Sequence, residues 1–283
     1  MTLRLGWFTT ARGSGSRAMY ETVTAAIDDG DLDVEFAFVF CNREPGEEEL
    51  SDGFFRLVDA NRHQLLTRSS VRYRRAAGGE RSRAGEPLPE WRIQYDRLVT
   101  RELAEHPFDL GVLAGYMLIF SGEFVQRHPL LNLHPALPGG PVGTWREVIR
   151  ALIRDRASES GVMLHLAIAE VDAGSVAAYC RFPLRGSDLD PLWAESEGRG
   201  VALADHPDDE ELEASALFAA IRERGVQYES PLLLATIAEF AAGRLRAVGG
   251  QVVGPDGAPR APSDLTEQVR AQLATSDLTG ASG

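Results

Sequence analysis

Short apolar runs separated by amphipathic stretches fill the first half of the chain, the pattern of strands alternating with crossover helices in a parallel α/β sheet. "LRLGWFT" (3–9) and "VEFAFVF" (34–40) read as buried strands, and 16–28 between them reads as the connecting helix. "WRIQYDRLVTRELAEH" (91–106) predicts a helix leading into a strand at "LGVLAGY" (110–116), and "LLNLH" (130–134) predicts another strand. Residues 144–157 carry helical spacing, and 161–184 read as two strands joined at "EVDAGS", where Asp172 and Gly174 offer turn chemistry. Two helices are predicted near 212–224 and 230–243, and 264–274 is the periodic stretch of the tail.

Three segments lack this periodicity. Residues 72–89 are basic and Gly-rich and read as a mobile surface loop, while 185–212 are acidic and irregular and read as an insertion. From Gly249 onward the chain is rich in Gly, Pro and Ser. With no internal repeat, the expectation is a single domain over 1–248 with insertions near 72–89 and 185–212, followed by a tail over 249–283.

Composition narrows the classes. At 283 residues with 44% hydrophobic and 25% charged positions, a sizeable core is within reach. No apolar stretch approaches the roughly 20 residues that span a bilayer, and "MTLRLGWFTT" lacks the pattern of a secretory signal, which points to the cytoplasm and away from the membrane. A net charge of -13 argues against a nucleic-acid binder, because affinity for phosphate backbones rests on cationic side chains. All 29 cationic residues are arginines, so Schiff-base chemistry and a Walker phosphate loop, which need lysine, drop out. Cys41 and Cys180 sit in apolar runs without His or Cys at ligand spacing and are expected to be buried thiols, with no zinc site and no disulfide framework.

Two constellations could carry chemistry. "FTTARGSGSR" (8–17) follows the first strand and opens the first helix, where free backbone N–H groups favour an anion. Gly13 and Gly15 would let the backbone approach a phosphate, and Ser14, Ser16 and Arg17 could donate to it; a tight turn needing small residues would look the same. In "LLNLHPALPGG" (130–140), Asn132 and His134 alternate onto one face of a strand end, and the prolines forbid continuing the ladder. Asp172 lies in a turn that could return to the same edge of the sheet. An amide donor, an imidazole and a carboxylate are the parts for acyl transfer: one polarises a carbonyl, the others move protons. His165 reads more readily as a core residue than as a partner of this group, and His63, His106, His128 and His206 carry no assigned role.

"LAGYMLIFSGEFV", "LLNLHPALPGG" and "VMLHLAIAEVDAG" resemble successive core motifs of the folate-dependent formyltransferases, nearest to the branch that formylates glycinamide ribonucleotide in purine biosynthesis. "GSGSR", "VFCNRE" and "VQYESPLLLATIAEFAAGRLR" are similar to that branch's phosphate loop, second-strand end and terminal helix, so the resemblance covers most of 3–247. It implies a Rossmann-like formyltransferase fold, a mostly parallel central sheet with helices on both faces. It implies a catalytic trio of Asn132, His134 and Asp172, and a 10-formyltetrahydrofolate pocket walled by Leu113, Gly115, Tyr116, Met117, Leu118, Ile119, Val171 and Ala173. Gly13, Ser14, Gly15, Ser16 and Arg17 would hold the phosphate of a small-molecule amine acceptor, and Glu229 would contact its ribose; no metal is implied, and a homodimer is left open. The sequence departs from the branch where "ALPGGPVGTW" replaces Ser-Leu-Leu-Pro, where Arg17 replaces Asn, and where Ser230 replaces His. These departures leave room for another acceptor, such as an amino sugar nucleotide, or for a non-catalytic folate- or nucleotide-binding module.

Overall fold

The structure is a computed structural model and describes residues 2–81, 86–170, 172–198 and 209–280. It divides into two compact units, one formed by 1–132, 166–175 and 238–260, the other by 133–165, 176–237 and 261–283.

The first unit is built on five parallel strands in the order β3-β2-β1-β4-β5: β1 (Leu3–Thr9), β2 (Val34–Cys41), β3 (Leu65–Thr67), β4 (Leu110–Leu113) and β5 (Leu130–His134), whose last two residues belong to the second unit. Helices α1 (Ser14–Asp28), α2 (Glu49–Ala60), α3 (Ser70–Ala76), α4 (Glu90–Leu103) and α5 (Gly122–Arg127) connect them. The expected mostly parallel sheet with helices around it is thus present. Because β1 pairs with β2 on one side and β4 on the other, the chain reverses its winding direction beside β1. That switch leaves a crevice at the carboxyl ends of β1 and β4, where open α/β sheets bind ligands.

An aromatic core supports this crevice. Phe8 has no exposed surface and meets the rings of Phe38, Phe120 and Phe124 edge to face at centroid distances of 5.4, 5.6 and 6.1 Å. Tyr116, Phe120 and Phe124 form a stack, with centroids 4.7 and 4.0 Å apart. Tyr95, Val99 and Leu103 of α4 close the cluster. A small antiparallel hairpin, β8 (Arg246–Val248) and β9 (Gln251–Val253), turns through Gly249 and Gly250, both at positive φ as a two-residue primed turn requires.

The second unit pairs β6 (Glu159–Leu166) antiparallel with β7 (Val176–Pro183), and β10 (Ser263–Asp264) adds to β7 in parallel. Helix α6 (Trp145–Arg154) begins with a capping box between Thr144 and Glu147. Its Arg146, Arg150 and Arg154 ion-pair with Glu213 and Asp209 of α8 (Asp209–Glu213). Helix α9 (Ala216–Ala241) begins in this unit and ends in the first, and α10 (Thr266–Gly280) follows β10.

Several expectations change. The two helices predicted near 212–224 and 230–243 are one continuous helix with Pro231 inside it. Proline removes one backbone donor and usually ends a helix, but Leu232, Leu233, Ala235 and Ile237 are all at most 1% exposed, and their burial holds the helix through the break. The predicted loop at 72–89 overlaps α3 through Ala76; Ser69 caps that helix by accepting from the Arg72 N–H. The acidic stretch 185–212 contains α7 (Asp190–Gly198), whose Trp193 is buried and donates to the Leu184 carbonyl at 2.7 Å. The part of that stretch at 199–208 lies outside the described residues.

Candidate active site

The carboxyl end of β1 runs into two fully buried threonines. The Thr9 hydroxyl accepts from the Ala11 N–H at 2.9 Å, holding Ala11 at a φ of 56°. Thr10 donates its N–H to the Gly115 carbonyl at 3.2 Å and accepts from the Met117 N–H on its hydroxyl at 3.0 Å. Gly115 is at a φ of +68°, and a side chain there would also bring a Cβ within 2.9 Å of Ser16 Cβ. Glycine is needed on both counts. The loop after β1 and the loop after β4 are therefore fastened together.

Beyond Gly115 the chain presents apolar surface. Met117 is 75% exposed and Ile119 43%, an unusual exposure for a large apolar pair beside an ordered core. Ile119, Phe120, Ser121 and Gly122 line a cavity of about 430 Å³ with Leu88, Ile93 and Ala169. From behind, α4 braces this segment. The buried Arg92 donates to the Ile119 carbonyl at 2.7 Å, the Asp96 carboxylate accepts from the Ser121 N–H at 2.6 Å, and the two side chains ion-pair at 3.0 Å. Burial pushes the Asp96 carboxyl up, and Arg92 opposes that shift. Arg92 Nη1 is buried and makes no hydrogen bond among the described residues. Sequence reading misses this pair, although an Arg and an Asp four residues apart on a predicted helix are visible in it.

The other residues implied for the donor wall are distributed unevenly. Leu113 ends β4, half-buried; Tyr116 is 9% exposed within the aromatic core, where burial pushes its phenol up; and Leu118 packs against the same core. Ala173 is exposed and lines a separate cavity of about 430 Å³ with Ile168, Ser175, Val252 and Arg260. Val171 lies outside the described residues.

The turn that carries Asp172 is anchored at both ends. Ala167 donates its N–H to the Leu130 carbonyl of β5 at 2.8 Å, Leu166 to the Ser175 carbonyl at 2.9 Å, and Val252 of β9 to the Ser175 hydroxyl at 3.1 Å. Asp172 itself takes the left-handed conformation, at a φ of 57°, a position where aspartate is tolerated better than most residues. Its Oδ1 accepts from Asn132 Nδ2 at 3.4 Å, which brings together two of the three predicted catalytic side chains.

His134 stands two residues further along β5, 2% exposed. Its Nε2 lies 2.9 Å from the Pro141 carbonyl oxygen, which can only accept, so Nε2 carries the hydrogen. The His165 ring, equally buried, faces it edge-on with centroids 6.5 Å apart.

Gly13 precedes α1 as its N-cap residue and Ser14 opens the helix, with no acidic residue in the first turn. Ser16 donates to the Gly13 carbonyl at 2.8 Å. Arg17 is turned along the helix to Glu21 at 2.9 Å, and Arg12 pairs with Glu48 at 2.8 Å. Glu229, 5% exposed, accepts from Arg222 at 2.7 Å. Both thiols are buried and pushed up to about 12, so neither is a thiolate nucleophile at neutral pH. Among the described residues, no three His, Cys, Asp or Glu side chains are grouped to hold a metal ion. No helix among them is long and apolar enough to cross a membrane.

A βα crevice with an anion-ready helix start, an apolar wall and an amide–carboxylate pair is the equipment of an acyl-group transferase. Residues 11–185, well over half of the chain, match the formyl transferase family, and the chain belongs to that family. Over 113 residues it is 34% identical to the phosphoribosylglycinamide formyltransferase of Dictyostelium discoideum, an alignment covering 36% of this chain and 55% of that relative. The chain thus spans about half the length of that relative. The fold is shared with the phosphoribosylglycinamide formyltransferase of Coxiella burnetii, at a TM-score of 0.61 and 20% identity over 93% of this chain and 98% of that one. It is shared also with a formyltetrahydrofolate deformylase from Pseudomonas putida, at a TM-score of 0.57 and 13% identity over 90% of this chain and 70% of that one.

Proposed function

We propose that the protein transfers a formyl group from 10-formyltetrahydrofolate to the primary amine of glycinamide ribonucleotide, a step of purine biosynthesis, in the cytoplasm. The observation that carries this reading is the Asn132–Asp172 pair, with His134 two residues along the same strand. A protein that only bound folate would have no use for an amide donor, an imidazole and a carboxylate in this relation. The donor, a substrate here, suits the apolar wall: Met117 and Ile119 offer surface for its flat rings, and Arg92 and Asp96 hold that wall from behind. It supplies an activated formyl carbon bonded to nitrogen.

Asn132 donates its amide hydrogen to the formyl oxygen as charge builds there. His134, held through Nε2 by the Pro141 carbonyl, uses Nδ1 to take the proton that the attacking amine loses. It returns a proton to the folate nitrogen as the carbon–nitrogen bond to the donor breaks. Asp172 orients the Asn132 amide and balances the charge of the imidazolium. Gly13, Ser14, Gly15, Ser16 and Arg17 hold the acceptor's phosphate, and Glu229 its ribose.

A second reading keeps the donor and changes the amine. Arg17 pairs with Glu21 in the free protein, and the departures from the branch at Arg17 and Ser230 leave room for another amine, such as an amino sugar nucleotide. The test is an assay of purified protein with 10-formyltetrahydrofolate and, in turn, glycinamide ribonucleotide and a panel of amines. Formylated glycinamide ribonucleotide is the expected product. Formate alone would point to hydrolysis, and a different formylated amine would support the second reading.

A further inference from the structure

We infer that Thr10 is a positioning residue for the donor: its hydroxyl, fixed to the Met117 N–H, sets the wall against which 10-formyltetrahydrofolate binds and ties that wall to the glycine loop. The inference rests on the donor site proposed above. Thr10 has no exposed surface, so it acts through other groups and touches no ligand. Its backbone N–H and its hydroxyl hold two points of one loop, the Gly115 carbonyl at 3.2 Å and the Met117 N–H at 3.0 Å. Its carbonyl in turn accepts from the buried Ser51 hydroxyl at 3.3 Å, which immobilises it from α2.

The hydroxyl matters because of the path the chain takes beyond Gly115. A residue at a φ of +68° reverses the chain, and the direction in which Met117 and Ile119 leave that reversal decides where the apolar wall stands. Ser16 packs beneath Gly115 with no room for a Cβ, so the loop cannot settle toward α1 if the Thr10 bond is lost. It can only move outward. A neutral hydrogen bond removed while the Met117 N–H stays in place leaves that donor without its partner, and the loop relaxes to find another. The same three contacts make Thr10 a mechanical link between α2, the stretch after β1 that leads into the glycine loop, and the donor wall.

The test compares the wild type with Thr10→Val, which keeps shape and loses the hydroxyl, and Thr10→Ser, which keeps the hydroxyl. Affinity for 10-formyltetrahydrofolate is measured by calorimetry, and kcat and both KM values by formyl transfer to glycinamide ribonucleotide. Thr10→Val is expected to weaken donor affinity and raise donor KM about tenfold with kcat within about twofold, and Thr10→Ser to restore the wild-type values, since each such factor corresponds to about 1.4 kcal/mol. Equal donor affinity in wild type and Thr10→Val, with folding verified by thermal melting, overturns the inference. So does equal weakening in both variants, since Thr10→Ser keeps the hydroxyl. If Thr10→Val does not fold, Gly115→Ala displaces the same wall from the Ser16 side and should weaken the donor likewise; unchanged affinity there overturns the inference too. Absence of donor binding by the wild type would instead remove the proposed donor site itself, and the inference with it.

Discussion

The wall after β4 and the rim at the start of α1 differ in how their polar groups are satisfied. In the wall, buried groups from two sides hold the backbone: Thr10 from the loop after β1, and Arg92 and Asp96 from α4. At the rim, the charged side chains are exposed, apart from the half-buried Glu48, and satisfy one another, Arg17 with Glu21 and Arg12 with Glu48. A backbone fixed by buried partners is preorganised, and its shape survives in the absence of ligand. Exposed ion pairs contribute little stability and exchange partners readily. The wall therefore keeps its shape in the free protein, while the charges at the rim can change partners.

The largest effect is expected from attacking the brace. Arg92→Met leaves Asp96 buried without its cation, and removal of one partner from a buried pair costs about 3–5 kcal/mol. Urea denaturation should show a loss of that size; a change under about 1 kcal/mol would mean that the wall stands without α4. Next in size are the groups proposed to react. His134→Ala and Asp172→Asn should lower turnover by two or more orders of magnitude, the usual scale for a positioned acid or base, with the melting transition retained. Near-normal turnover in either folded variant removes that residue from the mechanism.

Changes at the rim should act on the acceptor alone. Gly15→Val is expected to raise the acceptor's KM by closing the backbone to its phosphate while leaving donor affinity in place; equal loss of both would mean the subsites are wrongly divided. Arg17→Ala should weaken a phosphorylated acceptor about tenfold and make the remaining binding less sensitive to salt, without a measurable change in stability. An unchanged salt dependence would leave Arg17 with Glu21.

The smallest effect concerns pH. Hydrogen bonds from Arg4, at 2.8 and 3.1 Å from its side chain and 2.9 Å from its backbone N–H, hold the Asp109 carboxyl below its usual range. A depressed value means that the unfolded chain binds the proton more readily, so Asp109 stabilises the fold above the ordinary aspartate range and stops doing so as the pH falls through its lowered value. Asp96, raised by burial, has the opposite sign, and its contribution declines as the pH rises. Asp109→Asn should flatten the acid side of the stability profile, read from melting temperatures between pH 3 and 7; an unaltered profile would remove Asp109 as a source of acid sensitivity.

Much of this is legible in the sequence, for reasons that can be named. Strands β1, β2, β4 and β5 announce themselves as apolar runs, and Asn132, His134 and Asp172 stand out because polar residues at a strand end and in a turn break the local pattern. Helix α2 is hidden because its sequence, "ELSDGFFRLVDA", follows an acidic stretch, and β3 because three residues are too short for alternation to register. Helix α9 is split by pattern at Pro231, a local rule overruled by burial on the far side. Thr10, Arg92 and Asp96 escape notice for a different reason. Their importance lies in which backbone atoms they reach across 25 to 107 residues of chain, and no spacing encodes that.

Calorimetric titration of 10-formyltetrahydrofolate into the wild type, Ile119→Asp and Arg17→Ala tests the contrast between wall and rim most directly. A charge on the exposed face of the wall should abolish donor binding, and the change at the rim should leave it as in the wild type. Donor binding that survives Ile119→Asp, or that is lost in Arg17→Ala, would contradict the account.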